Sequence, residues 1–193
     1  MKIKSLLMVT GNSGKARELK QLLKLDQLRF DFRSLEADEI QSMDLSAVGN
    51  HKTVQAMELL EDRAEWDAVL TDDTGLFLEG LSGLPGPMVK WFLERLGAGG
   101  IYRLLDGKQK KATAVCALSL GLLREKKVVS FTAEVEGEIV DPKGMDGFGF
   151  DPVFQPLGSE KTFSMMSLDE KNRHSHRALA VEKLHDWIIN GQG

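Results

Sequence analysis

The sequence predicts an α/β domain, and three observations support this fold class. Residues 3–10 have the composition of a short buried strand, and a helical pattern follows them directly. Residues 112–123 and 127–140 have the pattern of a β-hairpin, whose second arm alternates apolar with polar side chains. Helical periodicity returns in the last part of the chain. Because the 193 residues include no repeat, linker or low-complexity tract, we expect one domain over residues 1–193.

The charge balance excludes some classes of protein. The chain has 25 Lys and Arg residues against 29 Asp and Glu residues, which gives a formal net charge of −4. A protein that coats nucleic acid generally needs a basic surface, so we expect no nucleic-acid partner. A small anionic substrate stays compatible with this composition, because local lysines also bind phosphate on an acidic protein.

The apolar segments are short. No apolar run approaches the length of a membrane span, and Leu6–Val9 is much shorter than the core of a signal peptide. We therefore expect a cytoplasmic protein with no membrane partner. The single cysteine, Cys116, lies in the apolar run AVCALSL, which favours a small buried hydrophobe over a catalytic thiol.

The first predicted element is a strand, a tight turn and a helix. The turn consists of Thr10, Gly11, Asn12, Ser13, Gly14 and Lys15. The helix begins near Gly14, and backbone N–H groups at its positive end, together with Lys15, suit a phosphate group. The turn is not a Walker motif, because Val9 and Ala16 replace the required glycine and the magnesium-binding hydroxyl. A strand–turn–helix joint with no ligand is an equally good interpretation of this segment alone.

Two further helices are predicted in the first half of the chain. Asp44 or Ser46 caps a helix that extends through Glu61. Its expected inner face consists of Val54, Met57 and Leu60. After the turn GLPGP, a third helix is expected to place four side chains inward, namely Val89, Phe92, Leu93 and Leu96.

Two adjacent acids end the predicted strand DAVLTDDTG (67–75). Asp72 and Asp73 offer carboxylate oxygens, which magnesium prefers as ligands. A solvated turn is the commoner meaning of such a pair. Glu39 joins this group only if the fold brings it near.

A glycine-rich loop, DPKGMDGFGFDP (141–152), carries Phe148 and Phe150 among small residues. Such aromatic rings either stack on a planar base or fill the edge of a core. The segment SLDEKNRHSHR (167–177) begins with a capping box, Ser167 to Glu170, and is rich in basic side chains. A solvated polar face is the ordinary interpretation of that run. The last helix extends to about Ile189, with Ala180, Leu184 and Ile188 inside.

Five motifs in order along the chain resemble one known family. They are TGNSGKARELK (10–20), ADEIQS (37–42), DDTGLFLEGLSGLPGPMVKWFLERLG (72–97), DGFGFDPVF (146–154) and SLDEKNRHSHRAL (167–179). The sequence resembles the inosine triphosphate pyrophosphatases, also called HAM1-like or non-canonical purine nucleoside triphosphate pyrophosphatases. Five ordered motifs over the whole length are far more specific than any one of them.

The resemblance implies an elongated mixed β-sheet flanked by helices, with two lobes and a central nucleotide-binding cleft. It also implies a homodimer and a reaction that depends on Mg2+, with Mn2+ as a possible substitute. A nucleoside triphosphate such as ITP, dITP or XTP is converted to the monophosphate and pyrophosphate. The biological result is the removal of deaminated purines from the nucleotide pool.

The same resemblance assigns roles to residues. Lys15 and Asp73 are the expected catalytic residues, and Glu39 and Asp73 the expected metal ligands. The expected phosphate contacts are Thr10, Gly11, Asn12, Ser13, Gly14, Lys15 and Lys52. Phe148 is expected to stack on the base. The remaining nucleotide contacts are expected from Asp73, Thr74, Gly149, Phe150, Asp151, Lys171, His176 and Arg177.

The expected mechanism is in-line attack of water at the α-phosphorus, with Asp73 orienting the water. Donors near His176 and Arg177 would suit the O6 acceptor of hypoxanthine and xanthine, and would face an amino group in adenine. Two alternatives stay open at this point. One is a Maf-like pyrophosphatase for pyrimidine or modified nucleotides, and the other is a nucleotide-binding sensor without catalysis.

Overall fold

The computed structural model describes residues 3–23, 28–145 and 147–190. Within these ranges seven strands form one sheet in the order β2-β1-β3-β5-β6-β7, with β4 paired to β3. The strands are β1 (Ser5–Val9), β2 (Arg29–Arg33), β3 (Ala68–Leu78), β4 (Pro85–Gly86), β5 (Lys111–Leu122), β6 (Lys127–Ile139) and β7 (Phe154–Pro156). β1 is parallel to β2 and β3, whereas β4 and β7 are antiparallel to their partners. The predicted α/β fold with a mixed sheet is confirmed.

Five α-helices accompany the sheet in the described part of the chain. They are α1 (Ser13–Leu23), α2 (Leu45–Leu59), α3 (Val89–Leu104), α4 (Leu168–His174) and α5 (His176–Asn190). None of the described helices is long and apolar enough to cross a membrane.

The chain divides into two compact units. The first unit consists of Met1–Asp73, Cys116–Thr132 and Arg177–Gly193, and the second of Thr74–Val115 and Ala133–His176. In the first unit, Leu7, Leu60, Trp66 and Val69 pack together. In the second unit, a larger apolar cluster includes Leu76, Ile101, Phe154 and Phe163. Each unit therefore has its own buried core.

Helix α2 begins where the sequence predicts it, but its inner face differs. The Asp44 carboxylate accepts hydrogen bonds from the N–H groups of Ser46 and Ala47, so Asp44 is the N-cap. The helix ends at Leu59, and Leu60 is buried just beyond it. Val54, which we expected inside, is exposed. The buried face consists instead of Leu45, Val48, Gly49, Thr53 and Ala56. The buried face is thus partly small and polar, which apolar periodicity does not detect.

Helix α3 is interrupted at Gly97, whose φ of 66° and ψ of 174° lie outside the helical region. Val89 is buried and Leu93 packs against the core of the second unit, as expected. Leu96 is exposed, contrary to the prediction. The reason is positional, because Leu96 directly precedes the glycine at which the helix changes direction.

The predicted carboxyl-terminal helix is two helices. The Ser167 hydroxyl accepts from the N–H of Glu170, which confirms the cap of α4. Ser175 then adopts an extended conformation, with φ −77° and ψ 150°, before α5 begins. Ala180 and Leu184 are fully buried in α5, as expected.

Candidate functional site

Strand β3 passes through the two adjacent acids instead of ending at them. The strand extends from Ala68 to Leu78, so Asp72 and Asp73 lie in its middle. Both are buried, at 2% and 7% of their reference surface. The predicted strand end and the interpretation as a solvated turn are therefore wrong. Carboxylates tolerate such burial only when cations neutralise them, and the first unit supplies these cations.

Side chains of the turn between β1 and α1 accept hydrogen bonds from the backbone N–H groups of the same turn. The Asn12 amide oxygen accepts from the N–H groups of Gly14 and Lys15, at 2.9 and 3.1 Å. The N–H of Asn12 itself donates to the Thr10 hydroxyl at 3.1 Å. Asn12 therefore caps α1 and occupies two donors that we expected to face a phosphate. The Lys15 side chain remains the positive group that the turn presents.

Lys15 is fixed by Asp72. Its ammonium donates to the backbone oxygen of Asp72 at 2.8 Å and lies 2.8 Å from the carboxylate oxygen Oδ1. On the other carboxylate oxygen, Arg177 donates from Nε at 2.6 Å, and its Nη1 donates to Glu18. Burial alone would raise the pKa of Asp72, but Arg177 and Lys15 outweigh burial and hold that pKa far below its usual range. Asp72 is thus a permanent anion between two cations.

Lys52 joins the two predicted metal ligands. Its ammonium lies 2.9 Å from an oxygen of Glu39 and 2.9 Å from Oδ1 of Asp73. Burial opposes the charge of Lys52, yet Asp73 and Glu39 outweigh it and raise the pKa of the lysine. Glu39, Lys52 and Asp73 therefore form one group in the first unit, as their joint assignment requires. We expected Lys52 at a phosphate, and here it bridges the acids.

The second oxygen of Asp73 is suited to a cation. Oδ2 is buried and has no hydrogen-bond partner among the described residues. A Cβ atom added at Gly49 would lie 3.3 Å from this oxygen and 2.7 Å from the Ser119 hydroxyl, so only glycine leaves this space open. A buried polar atom without a partner costs about 1–3 kcal/mol, which a bound cation would remove.

The donor set fits magnesium better than a transition metal. Among the described residues, no group of three or more His, Cys, Asp or Glu side chains is arranged to hold a metal ion. Magnesium commonly uses one or two carboxylates and completes its shell with waters and substrate phosphates. Glu39 and Asp73 together meet that requirement.

The second unit contains a separate group around Asp151. The Asp151 carboxylate accepts from the N–H of Phe148 at 2.9 Å and from the Lys171 ammonium at 2.7 Å. The same ammonium lies 5.0 Å from the centroid of the Phe148 ring. Gly147, at φ 90°, comes so close that an added Cβ would clash with the carboxylate. Lys171 is buried here, so the interpretation of residues 167–177 as a solvated face is wrong for this residue.

Phe150 and His176 lie in the core of the second unit. Phe150 packs against Phe154 and His176, with ring centroids 5.9 and 5.8 Å apart. The alternative that an aromatic ring fills the edge of a core therefore describes Phe150, whereas Phe148 is only half-buried. Gly149 is exposed with φ 66°, and Thr74 is half-buried in β3. Asp146, the first residue of the motif DGFGFDPVF, lies outside the described residues.

In the first unit, sequence reasoning missed Glu18 and Gly49, and it considered Asp72 only as a metal ligand. Glu18 holds Arg177, Asp72 holds Lys15, and Gly49 leaves space beside Asp73. Glu18 is buried in α1 although it is charged. One signal was available, since Glu18 follows Lys15 by three residues and so lies on the same side of the helix. Gly49 gave no such signal, because a helical glycine alone does not reveal what it approaches.

Comparisons with known proteins identify the family and support the fold. The sequence profile of the Ham1 family matches residues 6–187. An inosine triphosphate pyrophosphatase of Puccinia graminis f. sp. tritici is 36% identical over 182 residues, 93% of this chain and 94% of that protein. A dITP/XTP pyrophosphatase of Methanopyrus kandleri is 33% identical over 185 residues, 95% of this chain and 96% of that protein. The solved structure of a HAM1 protein from Coxiella burnetii shares the fold with a TM-score of 0.78 at 22% identity, covering 97% of this chain and 99% of that one.

Proposed function

Since the chain belongs to the Ham1 family, we propose that it hydrolyses the non-canonical purine nucleoside triphosphates ITP, dITP and XTP. The products are the nucleoside monophosphate and pyrophosphate, so the enzyme is a hydrolase that acts on acid anhydrides. It removes deaminated purines from the nucleotide pool. Two relatives, an inosine triphosphate pyrophosphatase and a dITP/XTP pyrophosphatase, support this choice over a Maf-like pyrophosphatase or a sensor.

One observation in the first unit is the main support for the proposed reaction. Asp73 is a buried carboxylate whose Oδ1 is bound by Lys52 and whose Oδ2 lacks a partner among the described residues. Its neighbour in the strand, Asp72, holds the ammonium of Lys15. The residues proposed as general base, metal ligands and phosphate-binding cation are thus joined by short contacts within one unit, which supports the proposal. A protein that only senses nucleotides does not need the buried base.

In the proposed reaction, Asp73 orients a water molecule and accepts its proton as the water attacks the α-phosphorus. Lys15 binds phosphate oxygens and stabilises their growing negative charge. Glu39 and Asp73 would hold Mg2+, or Mn2+ in its place. When bound, the metal acts as a Lewis acid that neutralises charge on the phosphate chain. Lys52 keeps the two acids aligned and offsets their mutual repulsion.

The base contacts are assigned to the second unit. Phe148 is proposed to stack on the purine, because its ring is half-buried and its backbone is held by Asp151. The segment around His176 is proposed to supply donors toward the O6 acceptor of hypoxanthine or xanthine, with Lys171 as a further nucleotide contact. An adenine would place its amino group against these donors, and each such conflict costs about 1–3 kcal/mol. We further propose that the protein is a homodimer, on the basis of its resemblance to the family. We also propose that it lies in the cytoplasm, on the basis of its composition.

The test is pyrophosphate release from ITP, dITP, XTP, ATP, GTP and dUTP, each with magnesium and with EDTA. We expect rapid release from the first three, slow release from ATP and GTP, and none with EDTA. Release mainly from dUTP would favour the Maf-like alternative. Binding of ITP without any release would favour the sensor.

A further inference from the structure

We propose that Asp72 is a positioning residue, which holds the ammonium of Lys15 in place for the phosphate chain of the substrate. This inference rests on the proposed function, in which Lys15 binds phosphate. It concerns a residue for which neither the motifs nor the family resemblance implied this role. All of the contacts that carry it lie within the first unit.

Lys15 has two fixed acceptors on this one residue. Its ammonium contacts both the backbone oxygen and Oδ1 of Asp72, each at 2.8 Å. A lysine side chain loses rotamer entropy when it is ordered, and here that loss accompanies folding instead of substrate binding. The Lys15 side chain is held by these contacts, and 17% of it remains exposed.

Asp72 itself is held from the opposite side. Arg177 donates to Oδ2 from Nε at 2.6 Å and to Oδ1 from Nη2 at 3.4 Å. Glu18 in turn accepts from Nη1 of Arg177. The side chain of Asp72 is 0% exposed and that of Arg177 is 2% exposed. Asp72 therefore lies behind the lysine and acts through it, without touching the substrate.

The order Glu18, Arg177, Asp72, Lys15 alternates in charge, and the two acids balance the two bases. Charge-assisted hydrogen bonds of this kind are short and directional, so each member restricts the next. The last residue in this order, Lys15, is the one that faces outward. A purely structural ion pair would need no such outward member, and this is the feature that distinguishes the two roles.

A double-mutant cycle tests the proposal. Asp72→Asn and Asp72→Glu are each made in the native chain and in the Lys15→Met background. Affinity for α,β-methylene-ITP, which cannot be cleaved at the reacting bond, is measured by titration calorimetry. In the native background we expect Asp72→Asn to weaken binding about tenfold, the loss of one charge-assisted hydrogen bond. In the Lys15→Met background the same change is expected to have less than about a twofold effect.

Asp72→Glu keeps the charge beside Arg177 and moves the carboxylate by one methylene group. It is expected to fold even where Asp72→Asn does not, and to weaken binding about threefold in the native background only. Asp67→Asn is the matched control, because Asp67 is a carboxylate of the same unit that binds the N–H groups of Lys4 and Ser5. It is expected to lower the melting temperature without changing affinity.

An equal loss in both lysine backgrounds, or no loss for either Asp72 variant that folds, overturns the proposal. So does a Lys15→Met variant that binds the analogue as the native chain does. Failure of the proposed function can be distinguished from failure of this inference, because it is measured on the native chain alone. In that case the native chain releases no pyrophosphate from ITP.

Discussion

Each unit contains one cluster in which carboxylates and lysines form ion pairs, and the two clusters differ in exposure. The acidic cluster of the first unit consists of Glu39, Asp72, Asp73, Lys15 and Lys52. The Asp151 cluster of the second unit consists of Gly147, Phe148, Asp151 and Lys171. Lys171 and Asp151 are 6% and 5% exposed, whereas Lys15 and Lys52 are each 17% exposed.

The two clusters differ in how far their charged groups are paired within the protein. In the acidic cluster, both lysines reach the surface and an oxygen of Asp73 has no partner among the described residues. In the Asp151 cluster, the lysine is buried and the carboxylate binds both a backbone N–H and an ammonium. We therefore expect changes in the acidic cluster to reduce turnover, and changes in the Asp151 cluster to reduce stability first.

Asp73→Asn is expected to have the largest effect. The variant keeps the shape of the side chain but removes the base and the metal-binding charge. We expect kcat for ITP to fall by about 10²–10⁴-fold, the range of general acid–base contributions. The melting temperature is expected to stay close to that of the native chain, because the amide still accepts from Lys52. Native turnover in the folded variant would disprove the role of Asp73.

Lys171→Met tests the expected stability role of the Asp151 cluster. It removes the cation from a buried pair, and such a change typically costs about 3–5 kcal/mol of unfolding free energy. Lys52→Met is the matched variant in the acidic cluster. It leaves the Asp73 carboxylate without its lysine, but the partial exposure of Lys52 lets water take that place, so we expect a smaller cost of about 1–3 kcal/mol. Urea denaturation followed by tryptophan fluorescence gives both values. A larger loss for Lys52→Met would contradict the assignment of the two clusters.

Gly147→Ala is expected to have the third-largest effect. At φ 90°, an alanine is strained, and its Cβ would lie only 2.5 Å from Oδ2 of Asp151. Gly107→Ala is the control, because Gly107 has φ 70° and no described atom lies within 4 Å of an added Cβ. We expect a loss of about 1 kcal/mol for Gly107→Ala and about 3 kcal/mol for Gly147→Ala. Equal losses would show that Asp151 moves aside without cost.

Gly49→Ala is expected to have the smallest effect on stability and a moderate one on turnover. Alanine favours a helix over glycine by about 1 kcal/mol, which offsets its crowding with Ser119. The added Cβ displaces the Asp73 carboxylate, so kcat is expected to fall about tenfold. Gly99→Ala in α3 is the control, since its nearest neighbour is the flexible end of Arg103 at 3.4 Å. Unchanged turnover for Gly49→Ala would mean that the space beside Asp73 is not needed.

Local sequence patterns determined much of this fold. Alternation along residues 127–140 predicted β6, where Phe131 and Ala133 are buried between exposed neighbours. Asp44 and Ser167 cap helices as their positions predict, since a cap depends only on residues within one turn. Cys116 is buried within β5, as its apolar neighbours indicate, and its burial raises the pKa of the thiol well above its ordinary value.

Edge strands were not predicted. β2 has the sequence RFDFR and is mostly exposed, so it has no apolar run to identify it. It is a strand because its backbone pairs with β1 in parallel register, from Ser5 opposite Arg29 to Val9 opposite Arg33. β7, with three residues, is likewise identified by its pairing with β6 and not by its composition.

The sequence by itself predicted which residues carry the proposed chemistry, because five motifs in order along the chain resemble one family. Only the tertiary structure decided what each one does. Two adjacent aspartates inside a strand are costly in isolation, and no local pattern predicts a strand through them. They are stable in β3 because Lys15 lies 57 residues away and Arg177 lies 105 residues away, and folding brings both to Asp72. Charge compensation between distant residues is a property of the folded chain. It distinguishes Asp72, which two cations hold, from Asp73, whose Oδ2 has no partner among the described residues.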